Sequence, residues 1–266
     1  MSHSLREHRP HQRGAGRTAW RVLQRWQGIL LCVAALVSTV WLGLTNQLIL
    51  YIHPRYIVFT VIMAVIGLAF VIGSFVARHD HDHDEEPRRF GRLASVGGTV
   101  LTVALAVGLV AVPPATLTTA TADPRVINSG QLGSSAKSVG SAASAPVGAS
   151  SRFSVADWAS LLRQTSDETF YRNKAADVIG FVSADKDDPD NVFYVSRFVI
   201  TCCAVDAQPI GVPVYLPSWK SGFAAGAWVH VVGSFDTDPS RGSKQPIALL
   251  PASTKKIAQP SDPYIY

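Results

Sequence analysis

The stretch Phe193-Tyr-Val-Ser-Arg-Phe-Val-Ile-Thr-Cys-Cys-Ala-Val-Asp206 decides the fold of the second half of the chain. It begins with β-branched and aromatic residues, which are typical of a strand, and it ends in two adjacent cysteines and an acidic turn. Two of the chain's three cysteines, Cys202 and Cys203, therefore lie side by side. We predict a strand that places a pair of thiols at one end of a β-domain.

Four more runs around this stretch have strand character and are separated by turns that contain Gly, Pro or Asp. Together with Val192–Cys202, the predicted strands are Ala176–Ala184, Ile210–Leu216, Ala227–Asp236 and Pro246–Ile257. Before them, Ser154 and Asp157 form a variant of the capping box, which predicts a helix that ends at about Gln164. Five strands and one N-terminal helix predict a small β-rich domain over residues 153–266, an OB-like barrel.

The acidic segment 185–191 resembles a calcium loop only in composition. An EF-hand loop needs glycine at its sixth position and a glutamate at its end. Here Pro189 and Asp190 occupy the middle, and no glutamate follows. We predict a solvated hairpin turn.

The distribution of charge favours a membrane and argues against nucleic acid as a partner. The chain is 47% hydrophobic and 16% charged, with a net charge of +5. Residues 1–122 contain eleven Lys and Arg and six Asp and Glu, whereas residues 123–266 contain thirteen of each. The excess positive charge thus flanks apolar segments, where it orients helices in a lipid bilayer. The neutral β-domain offers no basic surface to a phosphate backbone.

Three apolar runs are long enough to cross a membrane, for which about 20 residues suffice. They are Gly28–Ile52, Tyr56–Ala77 and Leu93–Val112. The first ends without a small-residue cleavage site, so we expect a retained helix and not a signal peptide. The break His53-Pro54-Arg55 joins the first two runs into a helical hairpin. We therefore predict a membrane α-helical region with three transmembrane helices, residues 28–114, in front of the β-domain.

Basic residues predict the orientation of these helices. The N-terminal tail, residues 1–27, and the loop 78–91 with Arg92 contain ten of the eleven basic residues in this half. Such residues remain in the cytoplasm, so three crossings make the β-domain extracytoplasmic in a multi-pass protein of the cell membrane. Residues 115–152 are rich in Ala, Ser, Thr and Gly and nearly lack aromatic residues, which predicts a flexible linker.

The loop 78–91 alternates imidazoles with carboxylates at His79, His81 and His83. Imidazole and carboxylate groups suit zinc and similar divalent ions. The competing interpretation is a soluble loop between two helices. Because the segment is short, a metal ion bound here is expected to exchange with solvent.

The adjacent cysteines leave three chemical states open: a strained vicinal disulfide, thiolates bound to a soft metal, or one buried and one partner-facing side chain. Adjacent Cα atoms lie about 3.8 Å apart, below the usual disulfide range of about 4.4–6.8 Å. Small buried side chains without chemistry are the alternative. The candidate metal ligands are thus His79, His81, His83, Cys202 and Cys203, and the candidate cofactor is zinc or another divalent or soft metal ion.

Both thiols can serve one site only if the chain turns after them, because successive side chains of a strand point to opposite faces. A salt bridge between Arg197 and Asp206, which bracket the pair, is expected to fix that turn. A pairing of Cys202 with His230 also stays open, since spacing does not reveal spatial adjacency.

The stretch Arg197-Phe-Val-Ile-Thr-Cys-Cys-Ala-Val-Asp-Ala-Gln-Pro209, followed by Trp228-Val-His-Val-Val-Gly233, resembles a family of uncharacterised bacterial membrane proteins, the YcgQ-like predicted permease subunits. The hairpin at His53-Pro54-Arg55, the His/Asp-rich loop and the strand Val178–Val182 add to the resemblance. It covers about residues 28–86 and 153–236, so the third span and the linker are departures from the family pattern. The resemblance implies a polytopic permease as partner.

These observations lead to one main functional hypothesis and one alternative. The main hypothesis is an accessory subunit of a permease for metal ions or other small solutes, because three spans with few charges are too few to form a transport path. The alternative is a membrane-anchored metal- or redox-binding protein that acts alone. A thiol-dependent enzyme ranks last because the chain lacks a Cys-x-x-Cys pair, and we expect no enzymatic activity.

Overall fold

The computed structural model describes most of the chain from Ala15 onward. The described residues are 15–76, 100–101, 104–105, 107–108, 116–118, 122, 126–130, 136–146, 148–172 and 174–266. The chain divides into two compact units. The first comprises residues 1–48 and 57–114, and the second comprises residues 49–56 and 115–266. Residues 49–56, around the break His53-Pro54-Arg55, therefore belong to the same unit as the β-domain.

Two helices dominate the described part of the first unit. Helix α1 spans Ala15–Leu44 and helix α2 spans Pro54–Val76. A Cβ atom at Gly43 would lie 2.4 Å from Cγ2 of Val61, so glycine lets the two helices approach closely. Among the described residues, Pro54–Ser74 is the one helix that is long and apolar enough to cross a membrane. Ile29–Leu44 is apolar but shorter.

The predicted helix boundaries are partly correct. Helix α2 agrees with the predicted run Tyr56–Ala77 to within two residues at its start and one at its end. Helix α1 begins inside the predicted basic tail and ends at Leu44, eight residues before the predicted end of the first run at Ile52. The residues after it form a turn and a short 3₁₀ helix, Leu48–Leu50. The loop 78–91 and most of the run Leu93–Val112 lie outside the described residues.

The β-domain has one sheet of six strands. They are β1 Ala175–Ala184, β2 Val192–Val199, β3 Gln208–Tyr215, β4 Trp228–Thr237, β5 Ile247–Lys256 and β6 Tyr264–Ile265. Their order in the sheet is β1-β4-β5-β3-β2-β6, and β1 pairs in addition with β2. The pairs are antiparallel except β3–β5 and β2–β6. All five predicted strands are present, and the short C-terminal strand β6 was not predicted.

Helix α4, Val155–Gln164, begins at the capping box as predicted and packs on this sheet. Ser154 Oγ accepts a hydrogen bond from the Asp157 N–H, and the Asp157 carboxylate accepts one from the Ser154 N–H. Trp158 is fully buried and its ring lies 4.5 Å from that of Phe235 on β4. A short helix α5, Glu168–Tyr171, follows before β1.

The described parts of the predicted linker differ from a free tether. Helix α3, Val139–Ala143, begins with a capping box at Ser138, and Ala142 joins the core of the domain. The Lys137 N–H donates to Asp157 Oδ1 at 3.0 Å. A few small apolar side chains and main-chain groups thus find partners on the folded domain, which composition alone does not reveal.

Candidate functional site

The two adjacent cysteines lie in a tight loop that follows strand β2. The strand ends at Val199, three residues earlier than the predicted end at Cys202. Residues 201 and 202 form a bend, and Ala204–Asp206 form one turn of 3₁₀ helix. This loop, Thr201–Asp206, is named the Cys loop below. Because the chain leaves the strand before Cys202, the two thiols are not forced to opposite faces of a sheet.

The Asp206 carboxylate organises the Cys loop. Its Oδ1 accepts a hydrogen bond from the Thr201 N–H at 3.1 Å. Its Oδ2 accepts from the N–H groups of Cys202 at 2.7 Å and Cys203 at 3.3 Å. In return, the Asp206 N–H donates to the side chain of Cys203. Three main-chain donors on one carboxylate hold the loop in a closed turn.

This turn brings three potential ligands together. The sulfur atoms of Cys202 and Cys203 and a carboxylate oxygen of Asp206 all lie within 4.8 Å of one another. Cys202 is exposed, Cys203 is half-buried, and both thiols are free. Two thiols and one carboxylate at this spacing are a set of groups suited to binding a metal ion, and Cys202 leaves the set accessible to solvent.

The electrostatic environment of the Cys202 thiol favours its protonated form. Partial desolvation, then the neighbouring Cys203 thiol, and then the Asp206 carboxylate raise the pKa of Cys202 above its ordinary value. The Arg55 guanidinium opposes this shift. A cation that replaces the proton would relieve the repulsion between these donor groups.

Arg197 and Asp206 do not form the salt bridge expected between them. Arg197 Nε donates to the Pro263 carbonyl at 3.2 Å, and Nη2 donates to the carbonyls of Asp262 and Tyr264. The guanidinium therefore fastens the C-terminal segment against β2, while Asp206 bonds the main chain of the Cys loop. Spacing in the sequence gives no sign that residues 262–264 return to this strand.

A segment that leads into the first residues of helix α2 pairs with the Cys loop in the second unit. Ile52 and Cys203 form an isolated antiparallel bridge. The His53 N–H donates to the Cys202 carbonyl at 3.0 Å, and the Ala204 N–H donates to the Tyr51 carbonyl at 2.8 Å. We name Tyr51–Arg55 the strap. The sequence has no signal for this pairing, because the partners are far apart in the chain and main-chain groups make the bonds.

Two side chains, those of Arg55 and Tyr266, make further contacts that fasten the strap. Arg55 Nη2 donates to the Thr201 carbonyl at 3.4 Å. The Tyr266 hydroxyl donates to the Ile49 carbonyl at 2.8 Å, and its ring meets that of His53 edge to face at 5.3 Å. The Arg55 side chain thus bonds the Cys loop from the C-terminal end of the strap. The Tyr266 hydroxyl bonds Ile49, which lies just before its N-terminal end.

The other predicted site residues lie elsewhere. His79, His81 and His83 fall outside the described residues. His230 Nε2 lies 2.5 Å from Asp177 Oδ1 on the neighbouring strand, so its observed partner is this carboxylate and not Cys202. In the acidic turn, Asp185 Oδ1 accepts from the N–H groups of Asp187 and Asp188, as a hydrogen-bonded turn requires.

Comparison with known families adds one finding. Residues 152–266 match the model of the DUF1980 C-terminal domain. This match supports a relation to an uncharacterised family. The matched region contains Cys202, Cys203 and Asp206, whereas the strap lies outside it. No curated protein matches the chain.

Proposed function

We propose that this chain is a membrane-anchored accessory subunit of a permease, and that its β-domain binds a divalent metal ion at the Cys loop. The metal-binding part of this proposal rests on the convergence of two cysteine sulfurs and one carboxylate oxygen within 4.8 Å. Thiolates favour zinc and soft ions over magnesium or calcium. An exposed site with open coordination positions is suited to reversible binding of an ion.

The proposed membrane topology has three crossings. Hydrogen bonds between the strap and the Cys loop require both to lie on the same side of a bilayer. If helix α2 crosses the membrane, the chain has to cross again before residue 115 to return to that side. The apolar run Leu93–Val112 supplies this crossing, and the excess of arginine in the tail and the loop 78–92 supports an extracytoplasmic β-domain.

The fold of the β-domain is proposed to be an OB-like barrel. Strand β1 pairs with both β2 and β4, and β3 pairs with both β2 and β5. Since β4 also pairs with β5, each of the first five strands has at least two neighbours, as a small closed sheet requires. The Cys loop joins β2 to β3 at one end of this sheet.

The permease partner is proposed from the resemblance to the YcgQ-like membrane proteins. Purification of the tagged full-length chain from its native membrane should recover a polytopic membrane protein in stoichiometric amount. The stand-alone metal- or redox-binding protein is the alternative that the free adjacent thiols favour. Repeated recovery of the chain without such a partner would favour this alternative.

The metal site is tested by metal content after anaerobic purification of the full-length chain in detergent. The background variant has His79→Ala, His81→Ala and His83→Ala, so that the His-rich loop contributes no metal. Cys202→Ser/Cys203→Ser should lose the bound zinc. Cys32→Ser removes the third cysteine, which is exposed on helix α1, and should retain it. Equal zinc in the double variant and its background would refute the Cys loop site.

A further inference from the structure

The Cys loop is hydrogen-bonded to residues that come immediately before the apolar part of helix α2. The His53 N–H donates to the Cys202 carbonyl at 3.0 Å, and the Ala204 N–H donates to the Tyr51 carbonyl at 2.8 Å. The segment that is long and apolar enough to cross a membrane begins at the next residue, Pro54. These bonds therefore fasten the Cys loop within a few residues of the start of a candidate membrane span.

The length of this span fixes the depth of its first residue in a bilayer. Pro54–Ser74 has 21 residues, which as a helix measure about 32 Å. The hydrocarbon core of a bilayer is about 30 Å thick, and the headgroup layers bring the total to about 40–45 Å. The first residue of the span thus lies at the boundary between hydrocarbon and headgroups. Groups that bond the strap directly then lie in the headgroup layer.

The side chains around this point are of the types found at membrane surfaces. Tyr51 is partly exposed and Tyr56 is exposed, and tyrosine is enriched where hydrocarbon meets water. The exposed Arg55 side chain bonds the Thr201 carbonyl at 3.4 Å, and its Cζ lies 5.1 Å from the centre of the Tyr56 ring. A guanidinium matches the geometry of a phosphate group. Two tyrosines and an arginine thus surround the attachment of the Cys loop.

The Cys loop itself presents an apolar side chain. Val205 is 84% exposed, the highest fraction among the large apolar side chains of the described residues. It directly follows Ala204, whose N–H is bonded to the strap. An apolar side chain this exposed to water is stabilised when it enters the acyl boundary of a bilayer. Its place beside the strap brings that boundary within reach.

We propose that the Cys loop docks on the lipid surface, with Val205 inserted at the boundary between headgroups and acyl chains and Arg55 bound to lipid phosphate; this rests on the proposed membrane anchor. The occupant of this surface is the bilayer because the strap that holds the loop continues directly into the span. The thiols of Cys202 and Cys203 then open at the membrane surface, at the level where a membrane-embedded permease takes up its substrate.

The docking is tested by spin labels on the full-length chain in phospholipid nanodiscs. In the background variant, Cys32→Ser, Cys202→Ser and Cys203→Ser remove the native thiols, while the main-chain groups that bond Asp206 and the strap remain. One nitroxide is then attached at a single introduced cysteine. Oxygen concentrates in lipid and a nickel chelate stays in water, so the ratio of their collision rates with the nitroxide reports its depth.

Four positions are compared in this background. Val205→Cys tests the docking, and Thr201→Cys, also exposed in the Cys loop, repeats the measurement at a second position. Val65→Cys labels the exposed side of helix α2. Lys186→Cys is the control, because this exposed residue lies in the turn between β1 and β2, at the opposite end of β2 from the Cys loop. We expect the ratio of oxygen to nickel collisions to be several times higher at positions 65 and 205 than at position 186, with position 201 between them.

The outcomes separate the docking from the membrane anchor. If the labels at positions 205 and 201 meet the nickel chelate as often as the label at position 186, while position 65 is in lipid, the docking is overturned and the anchor stands. If position 65 also meets the nickel chelate freely, the membrane anchor itself is overturned. Because serine replaces the thiols in all four proteins, the result does not depend on the proposed metal site.

Discussion

The Asp206 carboxylate accepts a hydrogen bond from the Cys202 N–H at 2.7 Å, and this contact shapes the turn in which both thiols lie. The same carboxylate also accepts bonds from Thr201 and Cys203. Asp206 therefore has two roles, since it fixes the main chain of the Cys loop and adds negative charge beside the thiols. Substitutions that remove one role at a time separate them.

Asp206→Asn is predicted to make Cys202 more reactive in the metal-free protein. The amide oxygen still accepts the bonds from the N–H groups of Cys202 and Cys203, while the Thr201 N–H loses its acceptor. The negative charge that contributes to the raised pKa of Cys202 is gone. The thiolate then forms at lower pH, so the pH profile of alkylation by iodoacetamide, followed by mass spectrometry, should shift toward lower pH. Asp206→Ala leaves three donors without their acceptor and should also weaken zinc binding. An unchanged alkylation profile in Asp206→Asn would show that the carboxylate does not act on the thiol.

Asn128 is predicted to fasten the linker segment 126–130 to strand β3. Its Nδ2 donates to the Gly211 carbonyl at 2.9 Å, and its Oδ1 accepts from the Gly211 N–H at 2.8 Å. Its φ of 63° lies in the left-handed region, which asparagine and glycine tolerate. Asn128→Gly tolerates this backbone conformation but loses both hydrogen bonds. Asn128→Ala loses both bonds and also strains the backbone. We expect the apparent free energy of unfolding to fall by about 1–3 kcal/mol in Asn128→Gly and by more in Asn128→Ala.

Limited proteolysis of the full-length chain checks this order. Cleavage within residues 115–152 should become faster from the parent chain to Asn128→Gly to Asn128→Ala. Ser129, whose hydroxyl bonds the nearby Val126 carbonyl, provides the control variant Ser129→Ala. Equal cleavage rates in all four proteins would mean that Asn128 does not hold the linker.

The elements of the β-domain could be predicted because their signals are local. The capping box at Ser154 and Asp157 correctly predicts the start of helix α4, and the five strand positions follow from residue type and turns. The end of β2 was misplaced because Ile200, Thr201 and Cys202 have strand character. The Ile200 N–H still donates to the Ile265 carbonyl of β6, whereas the Asp206 carboxylate accepts from the N–H groups of Thr201 and Cys202 and holds them out of the sheet. Strand propensity does not include such a contact across several residues.

The composition of the candidate site was predicted only in part. Adjacent cysteines with a nearby aspartate are visible in the sequence, and the structure brings Cys202, Cys203 and Asp206 together. The strap was not predictable, since the bonds at Tyr51 and His53 use main-chain groups that every residue has. Arg197 was paired with the wrong partner because its acceptors are carbonyls of residues 262–264.

Arg197 is predicted to hold the C-terminal strand β6 against β2. Its guanidinium donates to three carbonyls, and burial lowers its pKa, with Asp262 and Tyr266 opposing the shift. Lysine retains the charge but not the planar set of donors, so Arg197→Lys should release residues 262–266 partly and Arg197→Ala fully. Carboxypeptidase digestion of the intact chain measures this release. Arg241→Ala, in an exposed loop, is the control, and equal digestion of the Arg197 and Arg241 variants would contradict the prediction.

Asp238→Asn is predicted to raise the thermal stability of the protein at neutral pH. Desolvation, with the charges of Asp185 and Asp188, raises the pKa of the Asp238 carboxyl, while a hydrogen bond from the Ser240 N–H opposes the shift. A raised pKa in the folded state means that ionisation lowers stability as pH rises through that pKa. The gain from asparagine should therefore be present at neutral pH and vanish in acid, where Asp238 is protonated in both the folded and the unfolded chain. Thermal unfolding measured at neutral pH and in acid tests the prediction. Asp236→Asn, which removes an exposed carboxylate on β4, is the control and should show no such pH-dependent gain. If the gain from Asp238→Asn persists in acid, the effect is due to packing and not to charge.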